Sequence, residues 1–480
     1  MIGLAHSGVV DQCVIIRGIT MDLSPLNALS PVDGRYASTS EPLRAYFSEA
    51  ALIRERIRVE ALWFQQLSDP ALALLHAPLP AAVSAAISQL ATDPGTHAAP
   101  AVKAIEKRIN HDVKSVEYFV REALSKAGAD ERALELVHFG CTSEDLNNLS
   151  YARLMRDARE QLLLPEITQL LQTLTQLARQ YADLPMLART HGQAASPTTF
   201  GKEVANVGAR LRRARARLKR VEILAKWNGA VGNYNAHHSA RENIDWIAIS
   251  ETFIRGQQLH WNAYSTQIEP HDWIAEYCDA MAAINSILID WSRDAWGYIS
   301  LGYLRQRAVA GEVGSSTMPH KINPIDFENA EGNFGLANAM LRFFADKLPI
   351  SRWQRDLTDS TVLRNLGVAM AHSFIGWKAL QRGLARISPD PQRMSEDLDA
   401  AYETLGEAIQ SVLRVAGVPN GYEQLKHFTR GQRVDAESLR IFVATLPLPE
   451  IDRRRLAAMK PSQYIGLAAN LARRFAAENE

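Results

Sequence analysis

The sequence has few of the features that mark disulfide-rich, metal-binding or membrane proteins. Its 480 residues include three cysteines, Cys13, Cys141 and Cys278, and no two of them form a CxxC pair. So sparse and odd a set argues against a disulfide framework or a zinc site and favours a reducing, cytoplasmic location. No apolar run approaches the ~18 residues that a membrane-spanning helix needs.

Other absences narrow the function. The sequence contains no P-loop, no GxGxxG fingerprint and no HExxH motif, the common signals of nucleotide-cofactor and zinc sites. Lys+Arg and Asp+Glu number 53 each, so the net charge is zero. This balance argues against a dominant role in binding nucleic acid or another polyanion. With 47% apolar and 22% charged residues, the composition is typical of a soluble globular protein of two or three domains.

The first twenty residues differ from the rest. Their apolar run is interrupted by Asp11 and Gln12, no basic segment precedes it, and no small-residue cleavage site follows. We therefore do not predict a signal peptide. Met21 then opens the stretch MDLSP. We hypothesise that translation begins at Met21 and that residues 1–20 are a disordered extension or a wrongly assigned start.

Most of the remaining chain predicts long helices. From Ile274, apolar residues recur at the spacing of one buried helix face as far as Trp291. A second helix is expected from about Thr198 through the arginine-rich 210–220 segment. A third, over about 147–182, contains Pro165, which should kink or divide it.

Alternating strand-like runs are scarce, so the predicted fold class is all-α with a long central helical bundle. Loops at 92–100 and 387–391 add two weaker breaks. We predict an N-terminal helical domain over 21–130, a central bundle over 131–385 and a C-terminal helical domain over 386–480.

The polar loop over 314–324, GSSTMPHKINP, is the most informative segment of the sequence. Gly311 and Gly314 permit positive φ, and two prolines forbid a regular helix. Serine is a weak base in water, but a neighbouring cation and backbone N–H groups favour its deprotonated form. Lys321 and the glycine-rich turn offer both to Ser315, so the segment predicts a mobile catalytic loop.

Four further polar clusters accompany this loop. His191 lies in RTHGQ ahead of a helix and is suited to give a proton to a leaving nitrogen near neutral pH, although a structural role is as consistent with this cluster alone. His111 and Asp112 either form an oriented pair or cap a helix. Thr142 and Ser143 are typical of an N-cap and equally able to receive a carboxylate. The arginines and hydroxyls of 351–364 suit a phosphate or paired carboxylates, or a salt-bridged helix end.

In their order along the chain, these segments resemble the fumarase/aspartase superfamily almost end to end. The stretches SPVDGRY at 30–36, STQIEPH at 265–271, DFEN at 326–329 and the 351–364 segment resemble, more narrowly, its adenylosuccinate lyase family. That family eliminates fumarate from adenylosuccinate, giving AMP, and from succinyl-aminoimidazole carboxamide ribotide (SAICAR), giving AICAR, in purine synthesis.

The resemblance implies a role for each matching residue. His191 is the expected general acid and Ser315 the general base, with Lys321 and Asn323 stabilising the dianionic intermediate. Thr142, Ser143 and Gln267 are expected at the succinyl part of the substrate. The residues expected to hold the phosphate or line the remaining site are Arg35, Tyr36, Asn110, His111, Asp112, Asn329, Arg355, Ser360, Thr361, Val362, Leu363 and Arg364. The exact role of His111 is left open.

The resemblance also implies an assembly. It predicts a three-domain homotetramer whose active sites take segments from three subunits, with no metal or organic cofactor. The partners are then small nucleotide substrates and further copies of the chain, and the 314–324 loop closes over bound substrate.

Three other interpretations are weaker. The basic stretch 210–220 could bind nucleic acid phosphates, but a solvated or acid-paired helix face explains it as well. A non-catalytic relative of the same fold conflicts with the intact Ser315, His191 and Lys321. Argininosuccinate lyase or fumarase activity fits SPVDGRY and the 351–364 cluster less well.

Overall fold

A computed structural model describes residues 24–307, 318, 321–430 and 434–478, and the predicted N-terminal extension and Ser315 lie outside them. The described part of the chain is dominated by helices. Their bounds are α1 Ala37–Ser40, α2 Arg44–Phe47, α3 Glu49–Leu67, α4 Ala81–Thr92, α5 Ala98–Ile109, α6 Asp112–Lys126, α7 Glu131–Glu135, α8 Ser143–Ala158, α9 Leu164–Gln180, α10 Phe200–Arg220, α11 Asn235–Ala240, α12 Trp246–Gly256, α13 Asp272–Ser300, α14 Ile325–Lys347, α15 Thr358–Leu363, α16 Leu366–Arg386, α17 Pro391–Asp399, α18 Gly406–Val415, α19 Gly421–Thr429, α20 Ala436–Thr445, α21 Glu450–Ala457 and α22 Ala468–Ala477.

Strands form three two-stranded sheets within the described residues. Their bounds are β1 Pro185–Thr190, β2 Gln193–Thr199, β3 Leu224–Ala225, β4 His260–Trp261, β5 Leu304–Gln306 and β6 Ile387–Pro389. β1 pairs antiparallel with β2, β3 parallel with β4, and β5 antiparallel with β6. The predicted all-α class is therefore confirmed, with short sheets only at the helix connections.

The centre of the molecule is a bundle of long helices. α14 packs between α13 and α16, and α10 packs against α9 and α13. The apolar face predicted from Ile274 is confirmed, because its members as far as Trp291 are buried in α13. With 29 residues, α13 is the longest of the described elements.

Both other helix predictions are also confirmed. The span around Pro165 is divided into α8 and α9 by a π-helical turn at Arg159–Leu163, with Pro165 in the first turn of α9. α10 begins two residues after Thr198 and ends at Arg220. The strands β1 and β2 before it, which contain the RTHGQ motif, were not predicted.

The main core is continuous from Val32 to Met394, and the side chain of Phe475 belongs to it. A second, smaller core lies between Leu405 and Leu456. α16 ends at the predicted boundary near 386, but α17 and α22 pack back on the main core. The three-domain division stays a prediction. Among the described helices, none is both long and apolar enough to cross a bilayer.

Candidate active site

The N-terminus of α8 presents the hydroxyls of Thr142 and Ser143. The Thr142 N–H donates to Asp145 Oδ2 at 2.8 Å, which fixes the start of the helix. Asp145 is fully buried and forms an ion pair with the equally buried Lys226, at 3.0 Å from Oδ1 to Nζ. Since free N–H groups and the helix dipole favour anions here, the two hydroxyls stand where a carboxylate can bind.

Arg355 joins the α8 start to two other parts of the chain. Its guanidinium donates to Gln267 Oε1 at 3.1 Å and lies 2.9 Å from Glu144 Oε1 and 3.9 Å from Asp359 Oδ1. Glu144 and Asp359 are buried. We call these four residues, Glu144, Gln267, Arg355 and Asp359, the binding cluster. Because Arg355 faces two carboxylates, its own charge is largely neutralised and it serves to hold Gln267 in place.

Another buried acid, Glu269, is connected to the binding cluster through His271. Glu269 accepts from Asn262 Nδ2 at 2.8 Å and from the His271 N–H at 2.9 Å. Burial raises the pKa of Glu269 by more than these hydrogen bonds lower it, so the pKa lies above its usual value. His271 Nε2 lies 3.4 Å from Asp359 Oδ2. These contacts connect the segment before α13 to Asp359 of the binding cluster.

An open cleft of about 390 Å³ lies beside the binding cluster. Gln267 and Arg355 line it together with Trp353, which is 93% exposed and has a positive φ of 52°. A bulky residue with this backbone conformation is uncommon. The cleft therefore offers one exposed aromatic face beside hydrogen-bonding groups.

Asp112 and Arg364 meet at the edge of the site. Arg364 lies 3.3 Å from Asp112 Oδ2 and 2.7 Å from Glu49, and Arg56 lies 3.1 Å from the same oxygen of Asp112. Burial acts to raise the pKa of Asp112, but Arg56, the Val113 N–H and Arg364 outweigh it and hold that pKa below its usual value. The carboxylate is therefore charged and engaged.

A hydrogen-bond chain connects this edge to the binding cluster. Arg56 Nε donates to Asn147 Oδ1 at 2.8 Å, and Asn147 Nδ2 donates to Glu144 Oε1 at 2.6 Å. The segments around Asp112, Glu144 and Arg355 are thus brought together although they are far apart in sequence. Sequence reasoning grouped them only by resemblance.

His111 acts as a helix cap. Its Nδ1 accepts from the Lys114 N–H at 3.0 Å at the start of α6, and Asn110, with φ of 55°, ends α5. Of the two alternatives for His111 and Asp112, the structure supports the cap, because Asp112 faces arginines and lies 4.0 Å from His111. Since Nδ1 accepts, the proton of a neutral His111 lies on Nε2, which is available as a donor.

Tyr36 and Asn329 pair, with Asn329 Nδ2 donating to the phenol oxygen at 2.9 Å. Arg35 is exposed, and among the described residues its side chain has no partner. In α15, Thr361 is exposed and Ser360 half-buried, whereas the side chains of Val362 and Leu363 lie in the core. Those two residues can meet a ligand only through their backbone.

His191 lies at the tip of the hairpin formed by β1 and β2. Thr190 pairs with Gln193, so the connection is the two residues His191 and Gly192, with φ of 53° and 73°. Positive φ at both positions is what a type I′ turn requires. His191 is exposed, and no described residue forms a hydrogen bond or ion pair with its side chain. The imidazole is therefore free to reach a ligand.

The end of the 314–324 loop is described from Lys321. The Lys321 side chain is exposed, and its N–H donates to Met318 O at 2.9 Å. Gln306 Nε2 donates to Ile322 O at 2.8 Å, which ties the end of the loop to β5. Asn323 is half-buried.

The arrangement divides the predicted site into two sets. The first set is the α8 start, Gln267, Arg355 and the Asp112–Arg364 edge, which polar contacts within a single subunit bring together. The second is His191, which no hydrogen bond or ion pair between described residues links to the first set. Sequence reasoning missed the roles of Arg56, Lys226 and Asp359. Their signal was weak, because isolated charged residues are usually exposed to solvent, whereas tertiary packing buries these three.

Two arginines of the arginine-rich face of α10 pair with acids of the same chain. Arg210 contacts Asp290, Arg212 lies 3.0 Å from Glu478, and Arg215 donates to Thr168 at 2.8 Å. These contacts favour an acid-paired helix face at Arg210 and Arg212, whereas Arg213, Arg217, Lys219 and Arg220 are exposed. Among the described residues, no group of three His, Cys, Asp or Glu is placed to hold a metal ion.

Sequence comparisons match nearly the whole chain. The family profile described as "Lyase" matches residues 34–340, and the profile described as "Adenylosuccinate lyase C-terminal" matches residues 351–465. A protein of Escherichia coli (strain K12) named adenylosuccinate lyase is 49% identical over 94% of this chain and 99% of its own length. One of Haemophilus influenzae with the same name is 48% identical over 94% of this chain and 99% of its own.

Solved structures share the fold at lower identity. A 3-carboxy-cis,cis-muconate lactonizing enzyme from Pseudomonas putida superimposes with a TM-score of 0.69 at 22% identity, covering 92% of this chain and 97% of that one. A fumarate lyase from Mesorhizobium sp. BNC1 gives 0.72 at 20% identity, covering 91% of this chain and 97% of the other. At this identity the likeness concerns the fold alone.

Proposed function

Because the chain belongs to the adenylosuccinate lyase family of the fumarase/aspartase superfamily, we propose that it eliminates fumarate from adenylosuccinate, giving AMP, and from SAICAR, giving AICAR. The observation that carries this proposal beyond the comparisons is that Gln267 and Arg355 line one open cleft, while Arg355 also contacts Glu144 at the α8 start. A helix N-terminus with two hydroxyls and a held amide suits a dicarboxylate.

The reaction needs a base, a site for negative charge and an acid. Ser315 takes the proton from Cβ of the succinyl group. Lys321 and Asn323 then stabilise the negative charge that develops on the neighbouring carboxylate of the substrate. The electron pair then forms the C=C bond of fumarate while the C–N bond breaks. His191 gives its proton to the departing nitrogen.

The phosphate fits the other end of the site. Arg364 and the hydroxyls of Ser360 and Thr361 lie on or beside α15, and Arg35 and Tyr36 precede α1. Arg35 has an exposed side chain, and a guanidinium binds phosphate through two parallel hydrogen bonds. Arg364 is shared with Asp112 and Glu49, so phosphate would compete with these carboxylates for it.

We further propose a homotetramer with sites shared between subunits. On α14, Ile325, Leu336 and Phe343 are exposed by 60%, 56% and 54%. Their spacings of eleven and seven residues place them on one helix face, which solvent disfavours and a partner helix would cover. A shared site also accounts for the separation of His191 from the binding cluster. Since the substrates are soluble nucleotides, we propose a cytoplasmic location.

The test is to incubate purified protein with adenylosuccinate and measure fumarate and AMP. Both products should appear in equal amounts, and SAICAR should then give fumarate and AICAR. No fumarate from either substrate would contradict the proposed activity. Fumarate from argininosuccinate or malate instead would keep the chemistry and overturn the substrate.

A further inference from the structure

The His191 hairpin is attached to the C-terminal part of the chain through its first strand. Arg189, two residues before His191, lies 2.8 Å from Asp397 Oδ2 on α17. The same oxygen accepts from the Tyr303 phenol at 2.9 Å, and Arg393 lies 2.7 Å from Oδ1. Asp397 is only 16% exposed in its side chain, so its carboxylate is held from three directions.

The Tyr303 phenol is a stable hydrogen-bond donor to Asp397. Its side chain is fully buried, and burial followed by the bond to Asp397 raises the pKa of Tyr303 to about 12. The phenol therefore keeps its proton at neutral pH and continues to donate to Asp397. Since Tyr303 directly precedes β5, the carboxylate is fixed to the bundle as well as to the hairpin.

The second strand has an anchor of its own. The Ser196 hydroxyl donates to Glu407, near the start of α18. Glu407 also accepts from the Tyr464 phenol at 3.0 Å. Each strand of the hairpin thus contacts one carboxylate of the C-terminal part of the chain.

An apolar contact lies alongside the anchors. Leu187 of β1 packs with Leu398 and Ala401 in a small buried cluster. A bulge separates Leu187 from Arg189 in the pairing with β2, yet both side chains contact α17 or its end. The hairpin therefore rests on the segment 397–407 along its length.

We infer that Asp397 and Glu407 are positioning residues for the acid, holding the hairpin that presents His191. The inference rests on the proposed function of His191. A two-stranded hairpin is marginally stable in water, and His191 has no described partner of its own. Its placement must then come from the strands, and a displacement of about 1 Å can cost about 100-fold in rate.

The test compares four single variants in steady-state assays with adenylosuccinate. Asp397→Asn should lower kcat by about 10- to 100-fold with KM changed less than about twofold, because the acid is misplaced while the binding cluster is untouched. Glu407→Gln, which alters an exposed contact, should lower kcat by about threefold. Asp399→Asn and Glu403→Gln change neighbouring exposed carboxylates and should retain wild-type kcat.

Repeating the Asp397 substitution in a chain that lacks His191 distinguishes a positioning role from a general effect on stability. In a His191→Gln chain, Asp397→Asn should cause no further loss of kcat, because it acts through the missing imidazole. The solvent deuterium isotope effect on kcat should rise in Asp397→Asn, since proton delivery becomes slower. If Asp397→Asn does not fold, Tyr303→Phe removes one bond to the same carboxylate and should lower kcat in the same direction.

Other outcomes would overturn the inference. Wild-type kcat in both Asp397→Asn and Glu407→Gln would do so, as would an equal loss in the His191→Gln background. A rise in KM without a change in kcat would also contradict it. Failure of the proposed function is recognised separately, because wild-type protein would then release no fumarate or His191→Gln would be fully active.

Discussion

The binding cluster and the His191 hairpin differ in how their polar groups are satisfied. In the cluster, buried carboxylates hold Arg355, Arg355 donates to Gln267, and a chain of polar contacts from Glu144 reaches Asp112. At the hairpin tip, His191 is exposed and has no partner among the described residues. The binding cluster is organised before substrate arrives. The hairpin is itself anchored, but the His191 imidazole at its tip has no partner among the described residues.

This difference follows from what each region does in the proposed reaction. Groups that bind a dicarboxylate gain from fixed geometry, because little entropy is then lost on binding. A general acid must instead keep its proton available for the leaving nitrogen, and a strong permanent partner would compete with that transfer. Breaking either region should therefore affect different measured quantities.

The largest expected effect is the loss of the reacting groups. His191→Ala and Ser315→Ala should each lower kcat by at least about 100- to 10,000-fold, the usual contribution of a positioned acid or base. Substrate should still bind, because the binding cluster is intact. Stopped assays for fumarate and equilibrium binding of adenylosuccinate measure the two quantities, and a wild-type rate in either variant would remove the assigned role.

The next effect concerns the support of the α8 start. Lys226→Met leaves Asp145 as an unpaired buried charge and should reduce the free energy of unfolding by about 3–5 kcal/mol. Adding Asp145→Asn should recover part of this loss, since the buried charge is removed. Thermal unfolding of the two variants measures the difference, and equal stability of wild type and Lys226→Met would show that the pair does not stabilise the fold.

A smaller effect is expected on substrate affinity. Arg355→Met removes the hydrogen bond to Gln267 Oε1 and leaves Glu144 without its cation, so KM should rise by about tenfold or more, equivalent to about 1.4 kcal/mol. The matched control is Arg352→Met, whose side chain is 79% exposed and, among the described residues, pairs with Asp356 alone. A similar KM in both variants would mean that the binding cluster does not contribute to affinity.

The smallest effect is a pH dependence at the edge of the site. The pKa of Asp112 is lower in the folded state than its usual value, so its contribution to stability is present above that usual value and is lost as pH falls through the lowered one. Asp112→Asn should therefore destabilise the protein more at pH 7 than at pH 3. Melting temperatures at both pH values test this, and a gap that widens toward pH 3 would have the wrong sign.

Much of the fold followed from the sequence because helix periodicity and proline positions are local signals. The buried face of α13 and the division at Pro165 needed no tertiary information. The hairpin was missed because its turn uses His191 rather than asparagine before Gly192, and its strands end in a long helix. Positive φ at a histidine cannot be read from the residue type.

The candidate site was predictable in its parts but not in its connections. The clusters around 142 and 355 were noted from their residue types, and Gln267 was added by resemblance to a family. Their link through Asn147 and Arg56 depends on the packing of α3 against α8, which no local pattern encodes. Ser315 lies outside the described residues, and its role stays a prediction.

The most direct test of a shared active site is complementation between two inactive variants. His191→Ala and Ser315→Ala chains, mixed in equal amounts and allowed to exchange subunits, should recover about a quarter of wild-type activity if each site takes these residues from different subunits of the tetramer. Each variant treated alone is the control and should stay inactive. No recovery in tetramers shown by mass to contain both chains would mean that His191 and Ser315 serve the same site from one chain, and would contradict the account.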